Sequence, residues 1–192
     1  MKLKNYNKAF FIDRDGTINK YVPYIDNIKD FKLLDGVSKA IKLLNDSEWL
    51  AIVVTNQPQV ARGQLSEADV IAMHNKMDML LYKENAKIDM TYYCPHSPPG
   101  SFENGNKLYQ IDCSCRKPLN GLYLQAQKDF DINIEQSVFV GDTTRDIAAT
   151  KDIGGKSILL NCGLGGNDGK YFIEPDHRCD NLYEAVKLIL GH

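Results

Sequence analysis

The chain has 192 residues, of which 43% are hydrophobic and 25% are charged, and its formal net charge at pH 7 is −2. This length and composition are typical of a single globular domain spanning residues 1–192, and they exclude the disordered and membrane-embedded classes. Acids and bases are interspersed without a basic stripe, which disfavours a nucleic-acid partner.

The N-terminal segment does not predict an export signal. Its lysines precede an apolar run of only four residues, which is too short for the core of a signal peptide. The other apolar runs are the length of strands and fall well short of a membrane span. We therefore expect a cytoplasmic, monomeric protein without membrane attachment.

Apolar runs alternate with amphipathic patterns along the chain. Runs rich in Phe, Ile and Val predict buried strands, and apolar residues at helical spacing predict helices. In chain order, strands are predicted at 8–12, 50–54, 88–93, 137–140 and 157–160, and helices are predicted from Asp35 (with Val37, Ala40, Ile41 and Leu44 inward), from Ser66, and at 122–130, 144–151 and 182–190.

This alternation predicts an α/β fold, a Rossmann-like parallel sheet with helices on both faces, because parallel strands need long crossovers. Ligands of such sheets bind at the carboxyl ends of the strands. The stretch 95–118 is too long for an ordinary connection, which makes it either functional or disordered. Its cysteines favour a functional segment.

Two aspartates follow the first predicted strand. Asp13 and Asp15 are two residues apart, so an extended backbone would turn both to one side, and Gly16 and Thr17 then allow a sharp turn. Crowded carboxylates repel unless a cation lies between them, which favours Mg²⁺. One carboxylate can then attack phosphorus while the other transfers a proton. The alternative is an ordinary Asp-Gly turn with solvated acids.

Other polar residues lie near predicted strand or helix ends. Thr55 follows the second strand, where a hydroxyl can donate to a phosphate oxygen or simply cap the strand. Arg116 and Lys117 precede a helix. The Arg116 guanidinium suits a second phosphate or a hydroxyl-rich substrate. The alternative is that Arg116 and Lys117 are a basic pair on the surface. Asp142 follows the fourth strand. Asp146 lies one helical turn later, where an acid also stabilises a helix N-terminus.

Three thiols and one imidazole occur in or beside the long stretch. Cys94, His96, Cys113 and Cys115 form a complete set for a tetrahedral Zn²⁺ of the Cys₃His type, although their spacing is tighter than usual and scattered thiols are the alternative. A closed four-ligand site would organise the loop 94–118 rather than catalyse. The remaining cysteines are predicted to be packing or surface thiols.

Together these motifs resemble those of the haloacid dehalogenase superfamily. Asp-Arg-Asp-Gly-Thr after an apolar strand is similar to its first motif, and Thr55, Lys117 and Asp142 match the second, third and fourth. The resemblance implies that Asp13 is a nucleophile and Asp15 a general acid/base. It also implies Thr55 and Lys117 on the phosphoryl oxygens, and Mg²⁺ held by Asp13, Asp142 and the backbone carbonyl of Asp15.

The cysteine motifs narrow the resemblance. Cys-Pro-His with Cys-x-Cys-Arg-Lys-Pro is similar to the D-glycero-D-manno-heptose 1,7-bisphosphate 7-phosphatases and the related histidinol-phosphatases, over roughly residues 8–190. The resemblance implies a capless phosphatase that removes the 7-phosphate of this sugar phosphate through an aspartyl-phosphate. Histidinol phosphate is the alternative substrate. A non-catalytic, zinc-bearing binding module is the alternative from another class.

The same resemblance suggests how the rest of the substrate is held. Arg116, Asn56 and Gln57, with the loop 21–24, are its candidate contacts. The sequence departs from the family at Pro58 and Gln59, where Ser-Gly is common, and in the long insert 97–112, so contacts there are not carried over.

Overall fold

The computed structural model describes residues 7–22 and 28–191. Within these residues, six strands form one parallel sheet in the order β3-β2-β1-β4-β5-β6. The strands are β1 Ala9–Ile12, β2 Leu50–Asn56, β3 Met90–Cys94, β4 Val138–Gly141, β5 Lys156–Leu160 and β6 His177–Cys179. The predicted α/β fold is confirmed.

Helices connect the strands. They are α1 Val37–Asp46, α2 Gln59–Arg62, α3 Glu67–Lys83, α4 Gly121–Phe130, α5 Thr144–Ala148 and α6 Leu182–Leu190, with short 3₁₀ helices at Ile28–Asp30, Lys107–Tyr109 and Ile134–Gln136. The interval between β1 and α1 is too short for a large cap, as predicted. Across the described ranges, no helix combines the length and the apolar character that crossing a membrane requires.

The sequence pattern explains why two of these helices form. α1 buries Val37, Ala40, Ile41 and Leu44, the four residues that the helical spacing predicted. Ser66 caps the start of α3: its side chain accepts a hydrogen bond from the Asp69 backbone, and the Asp69 carboxylate accepts one from the Ser66 backbone. This capping box satisfies two N–H groups at the helix start.

Several elements differ in their bounds from the prediction; β3, for example, begins at Met90 rather than Ile88 and ends at Cys94. β2 continues two residues beyond the predicted end, because Thr55 and Asn56 pair with Tyr93 and Cys94 of β3. α5 ends at Ala148 rather than Lys151. A sixth strand, β6, was not predicted, since His177 and Arg178 are polar and none of its three residues is fully buried; it pairs with β5, and Cys179 packs partly against the core.

Side chains alternate between the two faces of the sheet and form two apolar cores. Phe10 and Ile12 of β1 join α1, α3 and α6 on one face, whereas Ala9 and Phe11 join α4 on the other. Both faces of the central strands are therefore buried, which explains their continuous apolar sequences.

The middle of the sheet sets the position of the site. β1 and β4 are neighbours there, although β2, β3 and several helices separate them in the chain. The backbone N–H of Asp13 donates to the Val140 carbonyl at 2.8 Å, which extends the pairing to the residue after β1. Strand order reverses at this point, and ligands of doubly wound sheets bind in the resulting crevice.

Candidate active site and metal centres

Three carboxylates meet at the carboxyl ends of β1 and β4. Ligating oxygens of Asp13, Asp142 and Asp146 all lie within 4.8 Å of one another. Adjacent strands bring Asp13 and Asp142 together, as the motifs predicted. Asp146 is held at the start of α5, where its carboxylate accepts hydrogen bonds from the Thr143 hydroxyl at 2.6 Å and the Thr143 backbone at 3.2 Å. The sequence offered Asp146 either as an acid at a helix N-terminus or as a second acid of the fourth motif. In the structure it caps α5 and also lies in the carboxylate cluster.

The charges of this cluster favour a divalent cation. Lys117 Nζ lies 2.6 Å from both Asp13 and Asp146, so the cluster has one positive charge, and full ionisation of its three carboxylates would leave two negative charges uncompensated. Asp142 Oδ1 is buried and has no hydrogen-bond partner within the described ranges. Burial, together with repulsion from Asp13 and Asp146, raises the pKa of Asp142 to about 8. A hard ion such as Mg²⁺ suits this oxygen-rich set.

Two glycines fix the Asp142 carboxylate. Gly16 and Gly163 have φ values of +90° and +60°, and a Cβ atom on either would overlap the Asp142 side chain. The backbone N–H of Leu164 donates to Asp142 Oδ2 at 2.7 Å. Only a residue without a side chain allows this close approach, so the Asp-Gly-Thr turn after β1 is part of the carboxylate site.

Asp15 occupies a different environment from the one predicted. Its carboxylate accepts hydrogen bonds from fully buried Arg14 at 2.8 and 2.9 Å, from Asn19 at 3.0 Å and from Gln57 at 2.8 Å. It is not a member of the carboxylate cluster. The expectation that the Asp13 and Asp15 side chains share one cation is therefore corrected, because Arg14 supplies the positive charge at Asp15.

The two aspartates of the first motif consequently titrate in opposite directions. Burial raises the pKa of Asp13 to about 6, although Lys117 opposes this effect. Burial alone would also raise the pKa of Asp15, but the ion pair with Arg14 and the hydrogen bonds from Asn19 and Gln57 hold it below its ordinary value. Both groups are therefore ionised at neutral pH.

Asp13 and Asp15 line a small cavity of about 150 Å³. Thr55 and Lys117 also line it, so the cavity brings together the four predicted catalytic residues. Burial alone would lower the pKa of Lys117, but Asp13 and Asp146 hold it above its ordinary value. The cavity thus presents an ammonium group, a hydroxyl group and a buried carboxylate to a ligand.

The three residues of segment 55–57 make different hydrogen bonds in the site. Thr55 Oγ1 accepts a hydrogen bond from Gln57 Nε2 at 2.9 Å, which leaves the hydroxyl proton for another acceptor. Asn56 uses both ends of its amide on Lys117: Nδ2 donates to the Lys117 carbonyl and Oδ1 accepts from the Lys117 N–H, each at 3.0 Å. The structure therefore gives Asn56 a role in positioning Lys117.

Gln57 also differs from the prediction of a substrate contact. It is fully buried, its Nε2 donates to Asp15 and Thr55, and its Oε1 accepts from Arg14 at 2.9 Å. Its amide is thus occupied by catalytic neighbours, which corrects the predicted direct contact. Tyr21 and Val22 of the predicted loop line the cavity, whereas residues 23–24 lie outside the described residues.

Arg116 lies beside the catalytic cavity. Its Nη1 donates to the His96 carbonyl at 2.9 Å, and its side chain lines a second cavity of about 350 Å³. Burial lowers the pKa of Arg116, and the nearby positive charge of Arg145 lowers it further. Sequence reasoning missed Arg145, because one arginine in a short helix carries no distinctive pattern.

The four predicted zinc ligands also converge. Ligating atoms of Cys94, His96, Cys113 and Cys115 lie within 4.8 Å of one another. Cys94 Sγ is 3.7 Å from Cys113 Sγ, which matches the separation of about 3.8 Å implied by two Zn–S bonds of about 2.3 Å, and it is 3.8 Å from His96 Nδ1. Cys115 Sγ lies closer, 2.9 Å from Cys94 Sγ. The donor set and its compactness fit Zn²⁺.

A carboxylate on α3 anchors the cysteine-bearing loop. Glu67 accepts hydrogen bonds from the Tyr93 and Tyr109 hydroxyls at 2.6 and 2.7 Å, and the Tyr109 ring stacks on His96 with centroids 6.1 Å apart. The long insert is therefore tied to the main body of the protein. No sequence pattern pointed to this contact, because its members are distant in the chain.

Comparison with known proteins identifies the group to which this arrangement belongs. The sequence pattern of the HAD-hydrolase-like family matches residues 114–185. The D-glycero-beta-D-manno-heptose-1,7-bisphosphate 7-phosphatase of Haemophilus ducreyi is 42% identical over 154 residues, which cover 80% of this chain and 82% of that protein. The chain belongs to this phosphatase family.

Two further comparisons extend over nearly the whole length. The enzyme of the same name from Pasteurella multocida is 39% identical over 186 residues, covering 96% of this chain and 97% of its own. The crystal structure of the D,D-heptose 1,7-bisphosphate phosphatase from B. bronchiseptica, complexed with magnesium and phosphate, superposes with a TM-score of 0.83. It is 28% identical and covers 96% of this chain and 98% of that chain.

Proposed function

We propose that this chain is a phosphoric monoester hydrolase that removes the 7-phosphate of D-glycero-D-manno-heptose 1,7-bisphosphate through an aspartyl-phosphate on Asp13. The observation that carries the proposal is the convergence of Asp13, Asp142 and Asp146 with Lys117 at the ends of β1 and β4. Family membership over most of the chain supports the choice of substrate.

The first step places negative charge where the protein can stabilise it. The Asp13 carboxylate attacks phosphorus, the bond between phosphorus and the sugar oxygen breaks, and Asp15 gives that oxygen a proton. Lys117 and the Thr55 hydroxyl donate to the phosphoryl oxygens, where charge develops. Thr55 is buried on β2, and the buried Lys117 side chain donates to the Val54 carbonyl of the same strand. Both groups are therefore oriented before substrate binds.

The second step reverses the role of Asp15. As a carboxylate it takes a proton from water, whose oxygen attacks the acyl phosphate and frees Asp13. The Arg14 ion pair favours this ionised form. A phosphate that enters beside Asp15 raises its pKa, because like charges disfavour ionisation, and so favours the protonated form that the first step needs.

Two metals fit the chain. Mg²⁺ would be held by Asp13, Asp142 and the backbone carbonyl of Asp15, with Asp146 as a neighbouring carboxylate, and when bound it neutralises charge on the phosphoryl oxygens. Zn²⁺ would be held by Cys94, His96, Cys113 and Cys115. Because that site is closed, it would fix the loop beside the cavity.

The protein is proposed to act in the cytoplasm as a monomer on a small sugar phosphate, without a nucleic-acid partner. Near-neutral charge supports the last point, since −2 is spread over 192 residues.

The test compares substrates and metals. Purified protein with Mg²⁺ should release phosphate from the 1,7-bisphosphate far faster than from histidinol phosphate, and a chelator of Mg²⁺ should abolish release. Asp13→Asn should fold normally and lose turnover, with Asp152→Asn as a control at an exposed position outside the carboxylate cluster. Faster hydrolysis of histidinol phosphate would replace the substrate. No hydrolysis of any phosphate ester, including an aryl phosphate, would favour the non-catalytic zinc-bearing module.

A further inference from the structure

A third cavity lies among the segment before α1, the first turn of α1 and the C-terminal half of α3. Its volume is about 620 Å³. As far as the described ranges show, none of the residues that line it also lines the catalytic cavity or the cavity beside Arg116. We call it the lysine cavity, because four lysines contribute to its walls: Lys32, Lys39, Lys76 and Lys83.

Positive charge exceeds negative charge in the lysine cavity. Two acids, Asp35 and Glu84, stand among its lining residues. In the part of the chain that the structure describes, none of the four lysines has a carboxylate oxygen within the 4 Å of an ion pair. Lys29 also lines the cavity, but it already interacts with another group and is not counted.

This gathering of lysines does not follow from the composition of the chain, whose formal net charge is −2. The four lysines come from three segments, since one precedes α1, one lies in α1 and two lie in α3. Like charges that the fold brings together without acidic partners repel one another, and an anion bound between them removes this cost.

Apolar side chains form much of the remaining surface of the lysine cavity. Leu33, Leu34 and Leu80 are half-buried there, and Phe31 is buried beneath them. A small inorganic anion would leave this apolar surface in water, whereas an organic anion would cover it. Ligand cavities in proteins are about 300–1,000 Å³, so the lysine cavity has the size for a nucleotide.

The wall of the lysine cavity is bonded to the chain that follows Asp15. The N–H of Lys20 donates to the Lys32 carbonyl, and the N–H of Leu34 donates to the Ile18 carbonyl, each at 2.9 Å. These two hydrogen bonds join the segment that lines the cavity to the turn after β1. A ligand that presses on this wall therefore acts on the backbone beside Asp15.

Two side chains continue this connection to the Asp15 carboxylate. The Phe31 ring centroid lies 5.8 Å from the guanidinium carbon of Arg14, which forms an ion pair with Asp15. The Asn19 amide donates to Asp15 at 3.0 Å, and its residue pairs with the cavity-lining Leu33 in an isolated bridge. The lysine cavity thus contacts both partners that keep Asp15 in place.

We propose that the lysine cavity binds a nucleoside polyphosphate, and that this ligand alters turnover through the contacts that hold Asp15. The phosphates contact the lysines, whose ammonium groups bind phosphate as point charges, while the base and sugar cover the apolar surface. Since the lysine cavity is separate from the catalytic cavity, the ligand does not compete with substrate. Its affinity falls as salt concentration rises, because salt screens exposed charges.

A calorimetric titration tests binding without turnover. ATP is titrated into wild-type protein in the absence of Mg²⁺, and into a double variant, Lys39→Gln with Lys76→Gln. The double variant should bind about 10-fold more weakly or worse, as expected for the loss of charge-assisted contacts. The control is Lys128→Gln with Lys156→Gln, which removes equal charge from exposed positions outside the lysine cavity and should bind normally. Urea unfolding verifies that both double variants fold.

Three binding results would overturn the site or its ligand. Absence of binding at millimolar ATP would reject the site, and so would equal affinity in the wild type and the Lys39/Lys76 variant, which would place ATP in another cavity. Tripolyphosphate should bind more weakly than ATP, because it leaves the apolar surface uncovered. Equal affinity of the two would overturn the assignment to nucleotides.

A kinetic measurement tests the connection to Asp15. ATP is added to the phosphatase assay at saturating bisphosphate and excess Mg²⁺, where a competitor in the catalytic cavity has no effect on kcat. The kcat should change by about 5-fold or more, as for a typical coupling between sites, and the Lys39/Lys76 variant should lose this response. Binding with an unchanged kcat would overturn the connection and keep the site. Failure of the proposed function would leave the titration valid, since it needs no substrate.

Discussion

Replacement of Asn56 by alanine tests whether this residue positions Lys117 or holds substrate. The variant removes two hydrogen bonds to the Lys117 backbone, each 3.0 Å long. At about 0.5–1.5 kcal/mol for each bond, the free energy of unfolding should fall by about 1–3 kcal/mol. Lys117 Nζ lies 2.6 Å from Asp13, and a displacement of about 1 Å from such a geometry costs about 100-fold in turnover.

The assay measures kcat and KM for the bisphosphate at saturating Mg²⁺, together with urea unfolding. We expect a lower kcat, a nearly constant KM and lower stability. Asn45→Ala is a matched control, because Asn45 makes the same pair of hydrogen bonds to the Lys87 backbone at 2.8 and 2.9 Å. It should lose similar stability and no turnover. A raised KM with unchanged kcat in Asn56→Ala would refute the positioning role and support the substrate contact that the sequence suggested.

Two further outcomes follow from the metal sites. The pKa of Asp142 is raised from an ordinary 3.8 to about 8, so the folded metal-free protein keeps a proton that the unfolded chain releases. The free energy of unfolding should therefore fall as the pH rises from about 4 to 8. Urea unfolding of metal-free protein at pH 5 and pH 8 should show this fall in stability. Added Mg²⁺, or the Asp142→Asn substitution, should make the fall smaller. Equal stability of the metal-free protein at the two pH values would contradict the crowding of the carboxylates. Elemental analysis should find about one zinc per chain, and Cys113→Ser should lose zinc and melt at a lower temperature while Cys179→Ser does neither. Fully folded wild-type protein that contains no zinc would dismiss that site.

Local patterns predicted the fold well because the central strands are buried on both faces. Their continuous apolar runs are visible in the sequence, and the strand ends mark where polar side chains gather. β6 was missed because Cys179 is the one apolar residue among its three and is only partly buried, so the strand has no apolar run. Pairing with β3 also extended β2 through Asn56, which no local pattern reveals.

The site was predictable only as far as its groups follow strands directly. Asp13 and Asp142 each follow a strand directly, and the two strands are parallel neighbours that end at the same edge of the sheet. The environments of Asp15 and Gln57 were not predictable, because each depends on a fully buried Arg14. The signal that was available was an arginine between two acids at the end of a buried strand, where its charge requires a partner.

The reacting carboxylates are anchored on adjacent strands, whereas loops and a short helix border the second cavity, which Arg116 lines. This separation has a consequence for protein engineering. Apart from Lys117 and Cys113, the residues that line that cavity can be exchanged without changing the sheet that holds the carboxylates. A redesigned enzyme would accept a different phosphate ester and still break the same bond. The strands would hold the reacting groups, and the loops and the short helix would determine which ester binds.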